Sequence, residues 1–464
     1  MARILFDIRF WLVLVLLIRT IGITDPPIEA THSWRQAFTN MVARNMAEGQ
    51  IDLLHPRTDL AGERENIVAS EFPIFNAIIA LCYRTFGTSH WYGRPIALFV
   101  STLGAWAFFS IVFKRYGKRV AFLSTFVLLW SSWFVYGRKS MPDTFSIALV
   151  LIALWAADNA LRERKVIWFL LAVPLAALGG LSKIPAVVLL TPWVVALFRP
   201  DLSMRWRFGA AITFTLAMAP VLLWYFWWQP HLLETYGNQL YFTRTLPEGL
   251  AGLWGLKGKL VERFLFSALL SHIAFGAVLY GLWRLIVGKD KAALVNIAGI
   301  ALLFGYFMLK AGDVFALHAY YMLPIVPLLS LLAGIGLEKI PAGPWTAGVM
   351  FLVVVEAAGI RWNDLTPSKE RAYLLRASDM ADQFTKRGDL VATNADMDPR
   401  MMYFLDRHGW NLSNAQLTSP EQMDSLRQIG LKAVFIDRHM GPPASPWTLA
   451  QEDDDFQVYL PAER

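Results

Sequence analysis

Five polar side chains within twelve residues mark the stretch of this sequence best equipped for chemistry. They are Asp25, Glu29, His32, Arg35 and Gln36. A carboxylate can take a proton from an attacking hydroxyl or amine, and an arginine can hold an anionic group. The stretch directly follows the first long apolar segment, and most of the chain after it is hydrophobic. A dense polar cluster at the edge of a membrane span is where we expect a functional site.

The composition indicates an integral membrane protein. Of the 464 residues, 56% are hydrophobic and only 17% are charged, against about 25% in soluble proteins. The mean hydropathy is +0.41, and several apolar runs reach the roughly 20 residues that a membrane helix needs. The single Cys82 excludes an internal disulfide. The net charge of +7 is more typical of cytoplasmic loops than of nucleic-acid binding.

Eleven membrane spans are predicted. They cover 4–22, 94–113, 120–136, 142–161, 166–181, 184–198, 207–228, 264–287, 292–310, 315–337 and 343–360. The apolar segment 72–87 is short for a span, and we expect it to lie at the outer interface. If it crossed the membrane, the basic clusters beginning at Lys114 would all move outside, against the positive-inside rule. The count therefore predicts a cytoplasmic N-terminus and a C-terminal tail on the outer side.

The outer loop at 23–93 is predicted to carry amphipathic helices. Ser33 can cap a helix that Gly49 stops. Apolar residues recur along this helix at helical spacing, so we expect it to lie along the membrane surface. Together with this loop, residues 1–361 form the predicted membrane domain.

The tail, residues 362–464, differs sharply in composition from the rest of the chain. Helical and strand-like segments alternate along it, at 369–387, 390–395, 398–406, 431–437 and 456–460. This alternation predicts a small extracytoplasmic α/β domain. The predicted fold class is thus an all-α polytopic membrane protein with a small C-terminal α/β domain.

The topology places further polar residues on the outer side. They are Glu71, Arg94, Arg138, Asp143, Lys183, His318 and Tyr320. Several basic and acidic groups on one rim suit an anionic, phosphate-bearing substrate and a carboxylate that transfers protons. Blander roles stay open. Asp143 can be an ordinary helix N-terminal acid, Arg138 can hold lipid headgroups, Lys183 can snorkel and His318 can be a packed histidine.

Six segments, in this order, resemble membrane glycosyltransferases of the GT-C fold. They are HSWRQ followed by ARNM, EFPIFNAIIALCYRTFG, RPIALFVSTLGAW, YGRKSMPDTFSIAL, GLSKIPAVVLLTP and HAYYMLPIVPLL, which together extend over most of residues 20–335. The resemblance is to the bacterial family-39-like and aminoarabinose-transferase-like branch. It implies a polyprenyl-phosphate-linked sugar as donor, an outward-facing cleft and a first-loop acid as catalytic base. It also implies the bacterial inner (plasma) membrane as the location.

On the hypothesis of an enzyme of this kind, the candidate residues have the following roles. The sugar passes from its polyprenyl-phosphate carrier to an acceptor lipid, glycan or protein. The configuration at its anomeric carbon inverts, and polyprenyl phosphate is the leaving group. Membrane lipids are the other partners, and nucleic acid is not one. Donor phosphate binding falls to Arg138, Lys183, His318 and Tyr320, and other substrate contacts fall to His32, Arg35, Gln36, Glu71 and Arg94. The absence of a Gly-rich phosphate loop argues against a nucleotide sugar as direct donor.

The base itself is uncertain in this pattern because Phe38 stands where relatives have an acid. We rank Glu29 first, Asp25 second and Asp143 third, since a helix N-terminus favours the anion and makes a poorer base. Glu29 and Asp25 can alternatively be ordinary solvated loop residues. No cofactor is certain. A divalent metal stays open, although His32, Asp25 and Glu29 have no fixed ligand spacing.

Two other functions stay open from the sequence. A lipid or sugar transporter or flippase would show broken spans and acids at the middle of the membrane. The predicted spans are nearly free of such acids, which favours the enzyme. A non-catalytic membrane scaffold is the other alternative, and the tail alone could support it.

Overall fold

The computed structural model describes residues 2–240, 243–441 and 445–461. Its α-helices are, in chain order, α1 (Ala2–Leu5), α2 (Ile8–Ile18), α3 (Ser33–Glu48), α4 (Ile74–Phe86), α5 (Gly93–Trp130), α6 (Ser132–Tyr136), α7 (Pro142–Glu163), α8 (Ile167–Ser182), α9 (Thr191–Ala196), α10 (Met204–Leu223), α11 (Gln229–Tyr236), α12 (Leu246–Gly255), α13 (Lys257–Glu262), α14 (His272–Val287), α15 (Lys291–Ala311), α16 (Asp313–Leu317), α17 (Val326–Leu337), α18 (Pro344–Arg361), α19 (Ala377–Phe384), α20 (Arg400–Leu405), α21 (Asn414–Leu417) and α22 (Pro420–Ile429).

Shorter helical segments link several of these. 3₁₀ segments cover Ile184–Leu190, Ala319–Ile325, Trp362–Leu365, Lys369–Arg376 and Arg438–Met440, and π-helical turns cover Trp224–Trp228 and Arg263–Ser267. The strands are β1 (Leu390–Thr393), β2 (His408–Asn411), β3 (Leu431–Asp437), β4 (Thr448–Glu452) and β5 (Phe456–Leu460).

The chain folds into two compact units. The first, which we call the helical unit, comprises Met1–Ile23, Arg94–Trp228 and Tyr241–Leu365. The second, the mixed unit, comprises Thr24–Gly93, Gln229–Leu240 and Thr366–Arg464. The first loop and the tail, distant in sequence, therefore belong to the same unit.

The helical unit contains all of the predicted spans, and each of them falls on helical structure. Within the described chain, six helices are long and apolar enough to cross a membrane. There are seven if Lys257–Ser267 and His272–Val287, bent by 89°, form one span. The helical, polytopic membrane fold is thereby confirmed. The number of eleven spans stays a prediction, because several predicted spans fall on shorter helices. Two examples are 4–22, which falls largely on α2, and 166–181, which falls on α8.

A single glycine divides the longest helix. The second predicted span and most of the third lie in α5, whose backbone leaves the helical conformation at Gly117 with φ +82°. Glycine adopts a positive φ without the steric cost that a Cβ atom brings. The chain therefore turns between two apolar helices at the place where the sequence predicts a loop.

Small residues let helices approach α7, which among the candidate membrane spans of the described chain is second only to Ala319–Leu337 in burial. A Cβ atom added at Gly179 of α8 would lie 2.7 Å from Val150 Cγ2, and one added at Gly104 would lie 2.6 Å from Ala148 Cβ. Close approach at glycine and alanine is the usual way that membrane helices gain packing contacts. It fixes α7, and with it Asp143 at the N-terminal end of that helix.

The mixed unit is organised around α3, which lies enclosed in protein rather than exposed along one face. Twelve of its sixteen residues are buried. One face, with Ala37 and Met41, joins an apolar core of the tail that includes Phe435 and Val458. The prediction of an amphipathic surface helix was wrong in this respect, because tail segments cover the face that the sequence leaves unpartnered.

The opposite face of α3 packs on the first loop. Phe38, Val42 and Met46 form a second apolar cluster, with Val68 and with Ala77 and Ala80 of α4. The C-terminal end of α3 is held by Arg84, whose guanidinium donates to the carbonyl oxygens of Met46 (3.1 Å) and Ala47 (3.0 Å). These contacts satisfy carbonyl groups that have no partner within the helix. α3 is thus fixed on two faces and at one end.

The tail forms a five-stranded sheet in the order β2-β1-β3-β5-β4. β2, β1 and β3 run parallel, whereas β5 is antiparallel to β3 and β4 is antiparallel to β5. The predicted α/β tail is therefore confirmed. In a sheet of this kind the chain leaves β1 toward β2 on one side and returns to β3 on the other. The carboxyl ends of β1 and β3 therefore lie beside a topological switch point, where ligands commonly bind.

Candidate functional site

The predicted site residues divide between the two units. Glu29, Asp25, His32, Arg35, Gln36 and Glu71 belong to the mixed unit, and Arg94, Arg138, Asp143, Lys183, His318 and Tyr320 belong to the helical unit. Each set is described in its own unit.

Glu29 precedes α3 and is buried, with only 2% of its surface exposed. Its Oε2 accepts a hydrogen bond from Gln36 Nε2 at 2.8 Å, so one turn of α3 orients the carboxylate. Its backbone carbonyl accepts from Arg371 Nη1 at 2.5 Å, and the same nitrogen donates to Ser33 Oγ at 3.1 Å. Arg371 of the tail therefore fixes the backbone at Glu29. The hydroxyl of Ser33, the first helical residue, is used in this contact and is not the helix cap.

Two other predicted groups of the mixed unit neutralise each other. Arg35 and Glu71 form a buried ion pair, and the Arg35 guanidinium lies 5.7 Å from the centre of the Phe38 ring. Phe38 is 4% exposed and belongs to the apolar cluster of α3 and α4. A carboxylate at position 38 would lie in apolar surroundings. Phe38, which stands where relatives have an acid, makes hydrophobic contacts there instead.

Asp25 and His32 are both half-buried. His32 precedes α3 and has a left-handed backbone, with φ 58°. A non-glycine residue in this region carries local strain and occurs where the surrounding structure imposes it. The left-handed turn at His32 sets the direction in which α3 leaves the loop that carries Asp25 and Glu29.

In the helical unit, Asp143 and Lys183 meet beside a small cavity. Asp143 lies in the first turn of α7, Lys183 directly follows α8, and Lys183 Nζ is 3.7 Å from Asp143 Oδ1. Both are buried, and within the described chain Asp143 Oδ2 has no hydrogen-bond partner. The cavity has a volume of about 10 Å³, close to the minimum for one water molecule.

Aromatic rings complete the wall of this cavity. Tyr320 and Tyr321 line it, and Lys183 Nζ lies 5.9 Å from the centre of the Tyr321 ring. The imidazole of His318 stacks on Tyr320, with ring centres 5.4 Å apart. The structure thus brings together Asp143, Lys183, Tyr320 and His318 from three distant parts of the sequence. This set can hold a charged oxygen through the ammonium group and place a carboxylate next to it.

A second group in the helical unit, which we call the basic cluster, consists of Arg19, Arg94, Arg138 and Lys139. All four are at most 2% exposed. Arg138 Nη2 donates to the carbonyl of Ile21 at 2.6 Å, and Arg94 Nη1 donates to that of Gly22 at 3.0 Å. Arg94 and Arg138 thus converge on consecutive backbone groups.

A carboxylate, that of Asp364, accompanies the basic cluster. Asp364 Oδ1 is 3.6 Å from Lys139 Nζ, and its Oδ2 accepts from Arg361 Nη1 at 3.4 Å. Sequence reasoning selected neither Asp364 nor Lys139 as a site residue. The signal for Lys139 was its position beside Arg138, whereas nothing in the sequence marks Asp364 as its partner. The cluster can interact with an anionic group such as a phosphate.

No group of three or more His, Cys, Asp or Glu side chains with metal-binding geometry occurs in the described parts of the chain.

The fold agrees with the resemblance found in the sequence. Apolar helices and a small α/β unit are both present, and solved structures of GT-C enzymes share this fold. Residues 70–224 match the family described as dolichyl-phosphate-mannose-protein mannosyltransferase. No curated protein matches the sequence.

Solved structures match the chain almost from end to end. ArnT from Cupriavidus metallidurans in the apo state has a TM-score of 0.66 at 12% identity, over 97% of each chain. The same protein bound to undecaprenyl phosphate has a TM-score of 0.62 at 13% identity, again over 97% of each chain.

An archaeal protein also shares the fold. The oligosaccharyltransferase AglB from Archaeoglobus fulgidus, in complex with an inhibitory peptide and a dolichol-phosphate, has a TM-score of 0.58 at 10% identity. The match covers 93% of this chain and 70% of that one. At these identities the likeness shows a common fold.

Proposed function

We propose that this protein is a membrane glycosyltransferase that moves a sugar from a polyprenyl-phosphate carrier to an acceptor. The observation that carries the proposal is the match over 97% of both chains to ArnT, one structure of which holds undecaprenyl phosphate. The match of residues 70–224 to a mannosyltransferase family that uses dolichyl phosphate supports the same donor chemistry. A lipid, a glycan or a protein is the acceptor.

The helical unit supplies the groups that bind the donor phosphate. Arg138 and Lys183 hold its oxygens, with His318 and Tyr320 beside Lys183, and they stabilise the charge that develops as the phosphate departs. The burial of the basic cluster supports this role, because a cation out of water interacts strongly with an anion that reaches it. Arg94 reinforces the positive potential, since it binds the carbonyl next to the one that holds Arg138.

The base is Glu29, with Asp25 as second candidate and Asp143 as third. Glu29 is buried, and the amide of Gln36, one turn into α3, donates a hydrogen bond to its carboxylate. This contact orients the carboxylate and supports Glu29 as the base.

The reaction is a single displacement. Glu29 takes the proton of the acceptor hydroxyl or amine, and the acceptor atom forms a bond to the anomeric carbon. The bond from that carbon to the phosphate oxygen breaks on the opposite face, so the configuration inverts and polyprenyl phosphate leaves with the bonding electrons. His32, Arg35, Gln36 and Glu71 position the substrates, Arg35 and Glu71 through the structure of the loop.

The location proposed is the bacterial inner membrane, with the N-terminus in the cytoplasm and the tail outside. The charge pattern of the loops supports this orientation. The segment 72–87 stays at the outer interface, since α4 has 13 residues and is about 20 Å long, against roughly 30 Å for the hydrocarbon core. A reporter that is active only in the cytoplasm should be inactive when fused after Arg464.

The proposal is tested by incubating the purified full-length protein with a panel of polyprenyl-phosphate sugars and a membrane extract as the acceptor source. We expect one donor to be consumed, with release of polyprenyl phosphate and a product of inverted anomeric configuration in its NMR coupling constants. Transport of the intact donor across vesicles without release of polyprenyl phosphate would support the transporter alternative instead. No change in any donor would contradict the proposed activity.

A further inference from the structure

A cavity in the mixed unit lies where the topology of its sheet favours a ligand. Its volume is about 230 Å³, room for roughly eight water molecules at 30 Å³ each. Asp437 ends β3, and Ala395 and Asp398 follow β1, so the cavity opens at the carboxyl ends of two parallel neighbours. None of the residues that line it has a role in the proposed function.

The lining is rich in hydrogen-bonding groups of both kinds. Carboxylates outnumber arginines, with Glu370, Asp398 and Asp437 against Arg371 and Arg400. Arg400 uses Nε and Nη2 on Asp398, at 2.5 Å between Nη2 and Oδ2, and its Nη1 donates to Ser33 Oγ at 3.4 Å. A free phosphate would therefore meet more negative than positive charge, which disfavours a strongly anionic ligand.

The donor and acceptor sites that remain suit hydroxyl groups. Arg371 uses only Nη1 in hydrogen bonds to the described residues, so Nε and Nη2 are available as donors. Asp437 accepts from Tyr373 Oη at 2.7 Å and from the His439 backbone at 2.9 Å, and each carboxylate oxygen has a further lone pair. A hydroxyl group both donates and accepts, so it can satisfy both kinds of site at once.

An aromatic surface borders these polar groups. The rings of Tyr373 and His439 stack with their centres 4.4 Å apart, and both residues line the cavity. An aromatic side chain offers a flat apolar contact together with a polar tip. A lining that combines polar groups with aromatic rings suits a sugar ring, which carries both hydroxyl groups and C–H bonds.

The geometry points to this cavity as a binding site for one neutral sugar unit of a glycan. Arg371 connects the cavity to the candidate base, because its Nη1 donates to the carbonyl of Glu29 while the residue lines the cavity. On the proposed function, on which this part of the inference rests, the bound unit belongs to the acceptor glycan.

The test uses the full-length protein in detergent and the methyl glycosides of glucose, galactose, mannose and N-acetylglucosamine, observed by saturation-transfer NMR. We expect saturable binding of at least one glycoside. Asp437→Asn and Tyr373→Phe should each weaken it about tenfold, since each removes or weakens a hydrogen-bonding group. Asp424→Asn, on an exposed carboxylate of α22 in the same unit, is the matched control and should not change binding.

Three results would overturn the inference. The first is the absence of binding by all four glycosides, and the second is binding that neither cavity variant changes while both variants keep the thermal unfolding midpoint. The third is displacement of a bound glycoside by inorganic phosphate, which would identify an anion site instead. Donor consumption measured in the same preparations separates the two proposals. Glycoside binding without donor consumption contradicts the proposed function alone, and the reverse contradicts this inference alone.

Discussion

The two units differ in how they balance buried charge. Among the described residues, five cations are buried in the helical unit, with two carboxylates: Arg19, Arg94, Arg138, Lys139 and Lys183 against Asp143 and Asp364. In the mixed unit the order reverses, with three cations against four carboxylates: Arg35, Arg44 and Arg407 against Glu29, Asp59, Glu71 and Asp437.

On the proposed function, this difference divides the buried charged residues into those that stabilise the fold and those that bind a ligand. Burying a charge is costly unless a partner of opposite sign accompanies it. In the mixed unit, ion pairs such as Arg35–Glu71 and Arg44–Asp59 meet this requirement within the protein. In the helical unit, cations are the majority of the buried charged residues described, and the proposed function assigns Arg138 and Lys183 to the donor phosphate. Breaking an ion pair in the mixed unit should therefore lower the stability of the fold. Removing a cation from the helical unit should lower the use of the donor.

The largest effect is expected from Arg44→Ala, which breaks a matched set of charges. Arg44 is bound by Asp59 Oδ2 at 2.8 Å and Asp406 Oδ1 at 2.6 Å, and it also donates to the carbonyl of Tyr403. Removing one partner of a buried pair costs about 3–5 kcal/mol. We expect a loss of this size in the free energy of unfolding of the full-length protein, measured by chemical denaturation in detergent.

Arg387→Ala is the matched control for this variant. Arg387 also binds Asp406, at 3.1 Å, but its side chain is 54% exposed. Exposed ion pairs contribute about 0–1 kcal/mol, so this variant should unfold almost like the wild type. Equal destabilisation by the two substitutions would contradict the view that burial makes the charges of the mixed unit structural.

The next effect concerns the base. Glu29→Gln keeps the shape of the side chain and should lower turnover by at least about a hundredfold, because general base catalysis contributes that much. Asp25→Asn and Asp143→Asn are the comparisons, measured by release of polyprenyl phosphate. Loss of turnover in Asp25→Asn with normal turnover in Glu29→Gln would reverse the ranking. Normal turnover in all three would reject a carboxylate base.

A smaller effect is expected from the cations of the helical unit. Lys183→Ala and Arg138→Ala each remove a charge-assisted contact worth about 1.5–3 kcal/mol, so kcat/KM for the donor should fall about 10- to 150-fold. The loss should exceed any change in stability. Substitution of the exposed Lys259 by alanine is the control.

A double substitution tests whether Lys183 acts on the donor or only balances the charge of Asp143, which Lys183→Ala alone cannot decide. The single change leaves Asp143 buried beside an empty position, whereas Lys183→Ala combined with Asp143→Asn removes both charges of the pair. If the double variant regains stability but not donor use, Lys183 acts on the donor. If it regains both, the pair is only structural, like the pairs of α3.

The sequence predicts the apolar elements of both units well. Every predicted span falls on helical structure, and the strands at Leu431–Asp437 and Phe456–Leu460 have the predicted bounds. β2 and β4 were missed, since HGWN is very short and TLAQE is polar and largely exposed. Strands of this kind depend on a neighbour to pair with, and their own residues carry little periodic signal.

The candidate site was predictable in parts. Asp143, Lys183, His318 and Tyr320 do meet in one place, because the positions of polar residues at span ends depend mainly on span boundaries. The burial of α3 was not predictable, since its partner Tyr403 lies 359 residues from Arg44 along the chain. The contact of Arg371 with Glu29 was missed for the same reason. Such contacts depend on tertiary packing, which a single sequence does not show.

The smallest effect concerns two aspartates of the tail that share one histidine. Asp437 accepts from the His439 backbone, and Asp455 accepts from His439 Nε2 at 2.9 Å. Burial raises the pKa of Asp437 above its ordinary value of 3.8, in spite of the hydrogen bonds from Tyr373 and His439. The hydrogen bond with His439, assisted by Arg376, lowers the pKa of Asp455.

These opposite shifts predict opposite dependences of stability on pH. A raised pKa means that the folded state holds the proton more tightly, so the free energy of unfolding falls as pH rises from 3.8 through the raised pKa of Asp437. A lowered pKa means that Asp455 stabilises the fold above 3.8, and this contribution is lost as pH falls through its lowered pKa. The test is to measure thermal unfolding midpoints of both variants from acidic to neutral pH. Relative to the wild type, Asp437→Asn should become more stable as pH rises, because the unfavourable ionisation of Asp437 is gone. Asp455→Asn should become less stable relative to the wild type as pH rises, because the favourable ionisation of Asp455 is gone. Changes of the same sign in both variants would mean that the cavity does not hold Asp437 in the buried, proton-retaining environment that its contacts describe.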